Sequence, residues 1–288
     1  MTAWQLDTGE ITFVERGAIR RGLTLPCGQC VGCRLERSRR WAMRCLHEAQ
    51  LHDFSSFVTL TYNDENVPTS LRYRDFQLFM KRLRKRFGPV RFYMCGEYGE
   101  QNFRPHFHAC LFGIHFGDRV LLKESQGSGR LYRSDALDAV WSLGYASIGD
   151  VTFESAAYVA RYVMKKVTGH RAEEHYQRVC LSTGELVQVA PEFNRMSLRP
   201  GIGAGWIEKY CSDVFGFDRD WVRVNGVKCK PPRYYYDYLE RKHPDVYESI
   251  EYKHYVDSDK CIEDSTAERL AVRERVTLAK LKHKKRSI

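Results

Sequence analysis

A chain of 288 residues with 43% hydrophobic and 13% aromatic residues can bury a substantial core, so wholesale disorder is excluded. The formal net charge of +10 favours a polyanionic partner such as nucleic acid. The sequence contains no run of about 18 apolar residues and no recognisable signal peptide, so we expect a cytoplasmic protein without a membrane partner.

The N-terminal region contains a cysteine-rich segment. Cys27, Cys30 and Cys33 are each separated by two residues. Thiolates at this spacing can converge on one tetrahedral ion, and Cys45 or His47 could supply the fourth ligand. The pattern therefore predicts a possible structural zinc site, with three incidental thiols in a glycine-rich turn as the alternative. An iron–sulfur use is also compatible with the spacing.

The following elements alternate between helix and strand. The apolar spacing predicts helices over residues 34–50 and 73–87, the second ending at Gly88-Pro89. Strands are predicted at Ser56–Tyr62, Val90–Cys95 and Pro105–Phe112, the last two joined as a hairpin. Two adjacent strands in the middle of the pattern are incompatible with a simple parallel doubly wound sheet.

Residues 117–133 are predicted to form a loop. Ser134 is a candidate N-cap for a helix that runs to Leu143, and a fourth strand and a further helix are predicted at Tyr145–Thr152 and Glu154–Val167. The order predicts an α+β fold in which an antiparallel sheet is covered by helices on one face.

After residue 200 the pattern predicts a hairpin at Val222–Cys229, with an Asn-Gly turn, and then mostly helix. The predicted organisation is therefore a cysteine-rich segment with a basic helix over residues 1–50, a central domain over 51–200 and a C-terminal extension over 201–288.

Basic residues cluster in two parts of the chain. Residues 71–91 contain eight basic side chains and one acidic one, and the last fourteen residues contain six basic side chains and no acidic one. Such clusters suit a phosphate backbone, although a solvated helix face gives the same pattern. The candidate DNA contacts are Arg82, Arg84, Lys85, Arg86, Arg104 and Arg161.

The strand at Pro105–Phe112 carries the clearest chemical motif. Because side chains alternate along a strand, His106 and His108 share one face and can bind one metal ion. Glu97 precedes them by nine residues, so a hairpin would return it beside the pair, with Glu100 as a competing third ligand. Zinc fits such a set, and so does Mg²⁺ or Mn²⁺ when phosphate oxygens complete the shell.

The predicted helix after residue 154 carries the second motif. Tyr158, Tyr162 and either Lys165 or Lys166 would lie on one helix face. Taken alone, this pattern is typical of an amphipathic core helix. Beside a metal that polarises a phosphate, a tyrosine oxygen could attack in line while a lysine offsets the developing charge.

Together these motifs resemble the HUH endonuclease superfamily. More closely, the chain is similar to rolling-circle replication initiators of small single-stranded DNA phages, the microviruses and especially the gokushoviruses. The blocks that carry this resemblance are Phe57–Tyr62, Arg104–His108 and Tyr158–Lys166, and Cys27–Arg34 resembles the opening of the gokushovirus proteins.

The resemblance implies a metal-dependent nickase and ligase built on a five-stranded antiparallel sheet. His106 and His108 would bind Mg²⁺ or Mn²⁺ with Glu97 as the acidic ligand, and Tyr158 and Tyr162 would be paired nucleophiles. One tyrosine would cut a single-stranded DNA origin and form a 5′-phosphotyrosine, and the second would act after one round of synthesis. The sequence has no Walker-type loop, so a host helicase and polymerase are expected partners.

Two other functions are compatible with parts of the sequence. A non-catalytic protein that binds single-stranded nucleic acid would explain the charge and the aromatic residues. A zinc-dependent hydrolase would activate water and would not need the tyrosines. A covalent protein–DNA adduct that requires Tyr158 and Tyr162 distinguishes the nickase from both.

Overall fold

The computed structural model describes residues 2–99, 102–125, 129–161, 171–179, 184–216, 219–260, 264 and 266–284. In chain order its elements are β1 (Thr2–Leu6), β2 (Ile11–Thr12), β3 (Ile19–Thr24), α1 (Val31–Ala49), β4 (Ser55–Tyr62), α2 (Tyr73–Phe87), β5 (Arg91–Tyr98), β6 (Pro105–Phe112), β7 (Val120–Ser125), β8 (Gly129–Arg133), α3 (Asp135–Trp141), β9 (Gly144–Asp150), α4 (Phe153–Arg161), α5 (Arg171–His175), β10 (Gln177–Val179), β11 (Leu186–Gln188), β12 (Phe193–Met196), α6 (Ala204–Val214), β13 (Phe215–Gly216), β14 (Arg219–Asp220), β15 (Val222–Val224), β16 (Val227–Cys229), α7 (Arg233–Lys242), α8 (Pro244–Lys260) and α9 (Ala267–Lys284). Within these described ranges, no helix combines the length and apolar character needed to cross a membrane.

An antiparallel sheet of seven strands forms the centre of the described chain, in the order β12–β5–β6–β4–β9–β8–β7. The four strands predicted from the sequence are confirmed as β4, β5, β6 and β9, and the α+β class is confirmed with them. Along β4 every second residue is buried, which is the alternation expected of a strand packed more tightly on one face.

The predicted loop at residues 117–133 was wrong, because β7 and β8 occupy most of it. This edge hairpin leaves Val120, Leu121 and Leu122 exposed, so it lacks the alternating burial that makes a strand recognisable from sequence. On the opposite edge, the short strand β12 pairs with β5. The sheet therefore extends beyond the five strands that the resemblance implied.

Helices cover both faces of the sheet, which corrects the expectation of one covered face. On one face, Phe107 and Leu111 of β6 share an apolar core with α2 and α3. On the other face, Cys110 and Phe112 of β6 pack with α1 and α4. Because β6 presents apolar side chains at both parities, each face buries its own helical layer.

Helix α1 belongs to the same layer as α4. Ala42 of α1 packs in the core that contains Ala156 and Val159 of α4, and the hydroxyl of Ser38 donates to the carbonyl of Ala157 at 2.9 Å. The predicted domain boundaries at residues 50 and 200 remain predictions, but this helix from the first predicted segment packs on the central sheet.

The C-terminal hairpin is confirmed as β15 and β16. Its turn residues Asn225 and Gly226 have φ values of 49° and 79°, the left-handed conformation that an Asn-Gly turn of this kind requires. The mostly helical extension is confirmed as α6 to α9, and Tyr235 of α7 is fully buried in a core that includes Met43 of α1.

Candidate active site

The hairpin of β5 and β6 brings the predicted metal ligands together. In the antiparallel register, Glu97 lies opposite His106 and Cys95 lies opposite His108. Directly opposed residues share a face of the sheet, so all four side chains point to the face covered by α1 and α4. The turn is closed by Gly99 N–H donating to the carbonyl of Arg104 at 3.0 Å.

The three ligand atoms converge on one point. The Oε1 atom of Glu97 lies 2.5 Å from His106 Nε2 and 2.8 Å from His108 Nε2. Glu97 is 3% exposed and His108 is 6% exposed, so the centre lies below the protein surface. The competing candidate Glu100 lies outside the described residues.

Outer contacts orient both imidazoles. His106 Nδ1 lies 3.0 Å from the carbonyl oxygen of Arg104, which only accepts, so Nδ1 carries the proton and the neutral ring leaves Nε2 as a lone pair. His108 Nδ1 lies 2.9 Å from Thr59 Oγ1 on β4. Such contacts fix the ring orientation of metal-binding histidines. Our sequence reasoning missed Thr59, although its alternation with Phe57 and Thr61 was a usable signal.

The residues fit a divalent cation. Burial raises the pKa of Glu97, but hydrogen bonds with His106 and His108 outweigh this effect and hold that pKa below its usual range. Glu97 is therefore ionised at neutral pH. Its second oxygen, Oε2, is buried and has no hydrogen-bond partner in the part of the chain that the structure describes. A carboxylate facing two imidazole lone pairs, with one oxygen unsatisfied, is a donor set suited to a metal ion.

Helix α4 places Tyr158 beside this centre. The ring centroids of Tyr158 and His108 are 5.0 Å apart and the rings meet edge to face. Phe57 of β4 stacks on His108 at 5.8 Å and contacts Tyr158 at 6.4 Å. Tyr158 therefore lies on the same face of the sheet as the metal ligands, as the motif predicts. Tyr162, Lys165 and Lys166 lie outside the described residues.

Local sequence explains why α4 begins where it does. The amide of Ser155 donates to Thr152 Oγ1 at 3.1 Å, and the amide of Thr152 donates to Ser155 Oγ at 2.8 Å. This reciprocal pair satisfies helix N-terminal amides in the manner of a capping box. The helix then buries Ala156, Val159 and Ala160 against the sheet.

Most predicted DNA contacts on α2 lie away from this centre, because α2 packs on the opposite face of the sheet. Arg82 donates to the carbonyls of Val140 and Trp141, and Arg84 donates to the carbonyl of Val90. These two guanidinium groups therefore hold α2 to its neighbours. Their roles as DNA contacts remain predictions, as do those of Lys85 and Arg86, which are exposed on the same helix.

The other two predicted DNA contacts lie nearer the centre. Arg104 follows the β5–β6 turn, donates to the carbonyl of Tyr62 at 2.8 Å and pairs with Asp64. Arg161 is exposed on α4, three residues after Tyr158.

The cysteine triplet forms a second candidate metal site. The sulfur atoms of Cys27, Cys30 and Cys33 lie within 4.8 Å of one another. The backbone amide of Cys30 donates to Cys27 Sγ at 3.2 Å, and this hydrogen bond is the main cause that lowers the pKa of Cys27 to about 6. The first thiol is therefore largely ionised at neutral pH, which is the form that binds zinc.

The structure corrects the prediction that Cys45 completes this triplet. Cys45 is fully buried in the core between α1 and the sheet, where it interacts with Cys110 of β6. Its position on the apolar face of α1 could not be distinguished from a ligand position by spacing alone.

The alternative fourth ligand, His47, also lies elsewhere. Its ring stacks on Trp206 at 3.6 Å, and Nδ1 lies 2.8 Å from the hydroxyl of Tyr235. Burial lowers the pKa of His47 from 6.5 to about 3. His47 is therefore a neutral core residue that joins α1 to α6 and α7.

This shifted pKa predicts an acid-sensitive fold. Between pH 6.5 and pH 3 the unfolded chain protonates His47 and the folded chain does not, so stability falls as the pH falls. His47→Asn removes the titration and keeps an acceptor near Tyr235. Urea unfolding at pH 6 and pH 5 should show that the wild type loses about 1 kcal/mol more per pH unit than the variant. Equal losses would contradict the prediction.

The fold and this centre together have the arrangement of an HUH-type protein: an antiparallel sheet with a His-x-His strand, an adjacent glutamate and a tyrosine-bearing helix on one face. The model of the replication-associated protein ORF2 family matches residues 55–167, the range that contains every ligand and tyrosine of the centre.

Comparison with characterised proteins gives the same family. The chain is 32% identical to replication-associated protein VP4 of Bdellovibrio phage phiMH2K over 83% of its own length and 75% of that protein. It is 30% identical to replication-associated protein ORF2 of Spiroplasma virus 4, covering 78% and 70% of the two chains. The chain therefore belongs to the phage replication-associated protein family, which confirms the resemblance to rolling-circle initiators. No solved structure matches it.

Proposed function

We propose that this protein initiates rolling-circle replication by cutting and rejoining a single-stranded DNA origin. The observation that carries the proposal is the placement of Tyr158 edge-on to His108, with 5.0 Å between ring centroids, beside the Glu97–His106–His108 centre. Membership in the phage replication-associated family supports the same role.

The cutting step is an in-line displacement at phosphorus. The phenol oxygen of Tyr158 forms a bond to the scissile phosphorus and loses its proton. The bond from phosphorus to the 3′ oxygen breaks, and that oxygen takes up a proton to become a free 3′-OH. Mg²⁺ or Mn²⁺ held by Glu97, His106 and His108 would polarise the phosphate and offset its developing charge. The products are a 5′-phosphotyrosine and a primer for synthesis.

The rejoining step reverses this chemistry. After one round of synthesis, a second tyrosine cuts the regenerated origin. The freed 3′-OH then attacks the first phosphotyrosine, the bond between phosphorus and the tyrosine oxygen breaks, and a circular strand is released. The second nucleophile is assigned to Tyr162, and charge neutralisation to Lys165 and Lys166, from the sequence motif alone.

Replication by this route needs partners. The single-stranded origin is the substrate, and strand separation and synthesis are assigned to a helicase and a polymerase of the host. Since the relatives are phage proteins, action inside the host cell is part of the proposal.

A covalent-adduct assay tests the function. The full chain is incubated with a single-stranded oligonucleotide that carries the origin and with Mn²⁺, and the products are separated under denaturing conditions. Mass spectrometry of the protease digest should recover a nucleotide-linked peptide containing Tyr158 or Tyr162. Cleavage without an adduct would favour the zinc hydrolase, and binding without cleavage would favour the non-catalytic binding protein.

We also propose that Cys27, Cys30 and Cys33 hold a structural zinc ion. The close approach of the three sulfur atoms and the lowered pKa of Cys27 support this site. Three thiolates leave a fourth position for water or for another side chain.

The zinc proposal predicts a specific pattern of metal content. The purified full chain should contain about one zinc per molecule, and Cys30→Ser should lose most of it because one thiolate of the set is removed. Cys45→Ala is the matched control and should keep its zinc, since Cys45 is buried elsewhere. Metal content is measured by inductively coupled plasma mass spectrometry. Zinc retained in the Cys30 variant would contradict the site.

A further inference from the structure

A cationic cavity lies between α1, the cysteine-rich loop and the start of α7. We call it the α1–α7 cavity, and its volume is about 610 Å³. Its lining contains a single carboxylate, Glu36, and four arginines, which are Arg37, Arg40, Arg44 and Arg233. The cavity therefore has an excess of positive charge.

Two of these arginines are already paired. Arg40 shares Glu36 with Arg39, at 2.8 Å and 2.6 Å. Arg233 pairs with Asp237 at 2.7 Å. Arg37 and Arg44, in contrast, have no carboxylate partner within the ranges that the structure describes. The uncompensated charge of the cavity is thus concentrated on these two side chains, which lie two helical turns apart on α1.

Arg44 is held in a fixed orientation. Its guanidinium lies between the rings of Trp41 and Tyr234, at 4.1 Å and 3.9 Å from their centroids. Its Nε donates to the carbonyl of Ile202 at 2.9 Å, and burial lowers its pKa below the usual range. The Nη atoms make no hydrogen bond to any described residue. A rigid guanidinium with free donors is suited to a phosphate group.

The cavity opens towards the catalytic layer. A neighbouring cavity of about 450 Å³ shares Arg37 and Trp41 with it and reaches Ala160 of α4, two residues after Tyr158. The ring of Trp41 also stacks on Tyr93 of β5 at 4.7 Å, and Tyr93 lies on the same strand as Glu97. A polynucleotide leaving the metal centre could therefore continue along α1, whereas the arginines of α2 lie behind the sheet.

We propose that the α1–α7 cavity binds backbone phosphate of the single-stranded DNA substrate through Arg37 and Arg44. This assignment rests on the proposed function, because it takes the DNA cut at the metal centre as the ligand. The cavity supplies charge and rigid guanidinium geometry without a pocket for a particular base, so it contributes affinity that is independent of sequence.

The test measures binding without catalysis. Fluorescence anisotropy follows the full chain and a labelled oligo-dT of about 20 nucleotides, which exceeds the span of a single binding site. EDTA is present, so cleavage does not interfere. Arg37→Glu is compared with Lys85→Glu, which makes the same charge change at an exposed helical position on the opposite face. Arg44→Met tests the buried guanidinium, with thermal unfolding as the check on folding.

The Arg37 variant should bind about tenfold more weakly at low salt, and the slope of log K against log salt should flatten by about 0.7 for each phosphate that is no longer neutralised. Arg44→Met should show the same flattening, and Lys85→Glu should stay within about twofold of the wild type. Equal losses for Arg37→Glu and Lys85→Glu would overturn the proposal. So would an Arg37 variant that loses affinity for the mononucleotide dTMP but keeps its affinity for the oligonucleotide.

This outcome can be separated from that of the nickase proposal. If the tyrosine adduct forms and Arg37→Glu binds like the wild type, only the phosphate site is wrong. If no adduct forms and Arg37→Glu still weakens binding specifically, the catalytic proposal fails and the binding surface stands.

Discussion

Glu97→Gln should reduce Mn²⁺-dependent cutting of the origin strand by at least about 10³-fold. The substitution keeps the size of the side chain but removes the only carboxylate that contacts His106 and His108 in the described centre. A neutral amide attracts a divalent cation much less strongly than a carboxylate does. The initial rate of oligonucleotide cleavage measures the effect.

Metal binding should report the same loss independently of cleavage. Saturating Mn²⁺ at about a hundred times its dissociation constant should stabilise the wild type by about 2.7 kcal/mol. Thermal unfolding of Glu97→Gln should show little of this gain. Glu192→Gln is the matched control, because Glu192 is also a buried glutamate but bonds to Tyr176. A Glu97 variant that cuts like the wild type would exclude this centre.

The catalytic layer was predictable because it follows from short-range periodicities. Alternation along β6 places His106 and His108 on one face, and a tight hairpin fixes Glu97 opposite them. Helical spacing and the resemblance identified Tyr158, and the structure places it on the same face. In each case the relevant spacing is set within one element or one hairpin, so the local sequence contains the information.

Features that depend on distant partners could not be predicted. The arginines of α2 are as basic as any DNA-binding helix, but Arg82 and Arg84 donate to carbonyls whose positions depend on packing. Cys45 falls on the buried side of α1, and only the docking of that helix on the sheet shows this. The exposed edge hairpin of β7 and β8 pairs through backbone groups, which leave no side-chain pattern.

These errors share a physical cause, and they also show where the DNA-binding charge belongs. Clusters of like charge are visible in a sequence, but the face of the sheet that each cluster occupies is not. Once α1 is seen on the catalytic face and α2 on the other, the unpaired Arg37 becomes the better candidate contact.

Replacing Tyr158 and Tyr162 together by Phe should lower the yield of covalent protein–DNA adduct by at least about 10³-fold, because both phenol nucleophiles are removed. The folded structure should be retained, since a phenylalanine ring in place of Tyr158 keeps the edge-to-face contact with His108. Oligonucleotide affinity should also be retained, as neither hydroxyl is needed for charge attraction to the DNA. Denaturing electrophoresis with a labelled oligonucleotide measures the adduct.

The single variant then tests the geometry that places Tyr158 at the centre. Tyr158→Phe should eliminate the nucleotide-linked peptide at position 158, and any remaining adduct should be found only at Tyr162. Tyr145→Phe is the matched control, because Tyr145 is an exposed tyrosine on β9, next to Thr61 in the same sheet. It should form adduct at the wild-type rate. If the double variant still links to DNA, a different side chain is the nucleophile, whereas undiminished cutting without any linkage means that water attacks the phosphate.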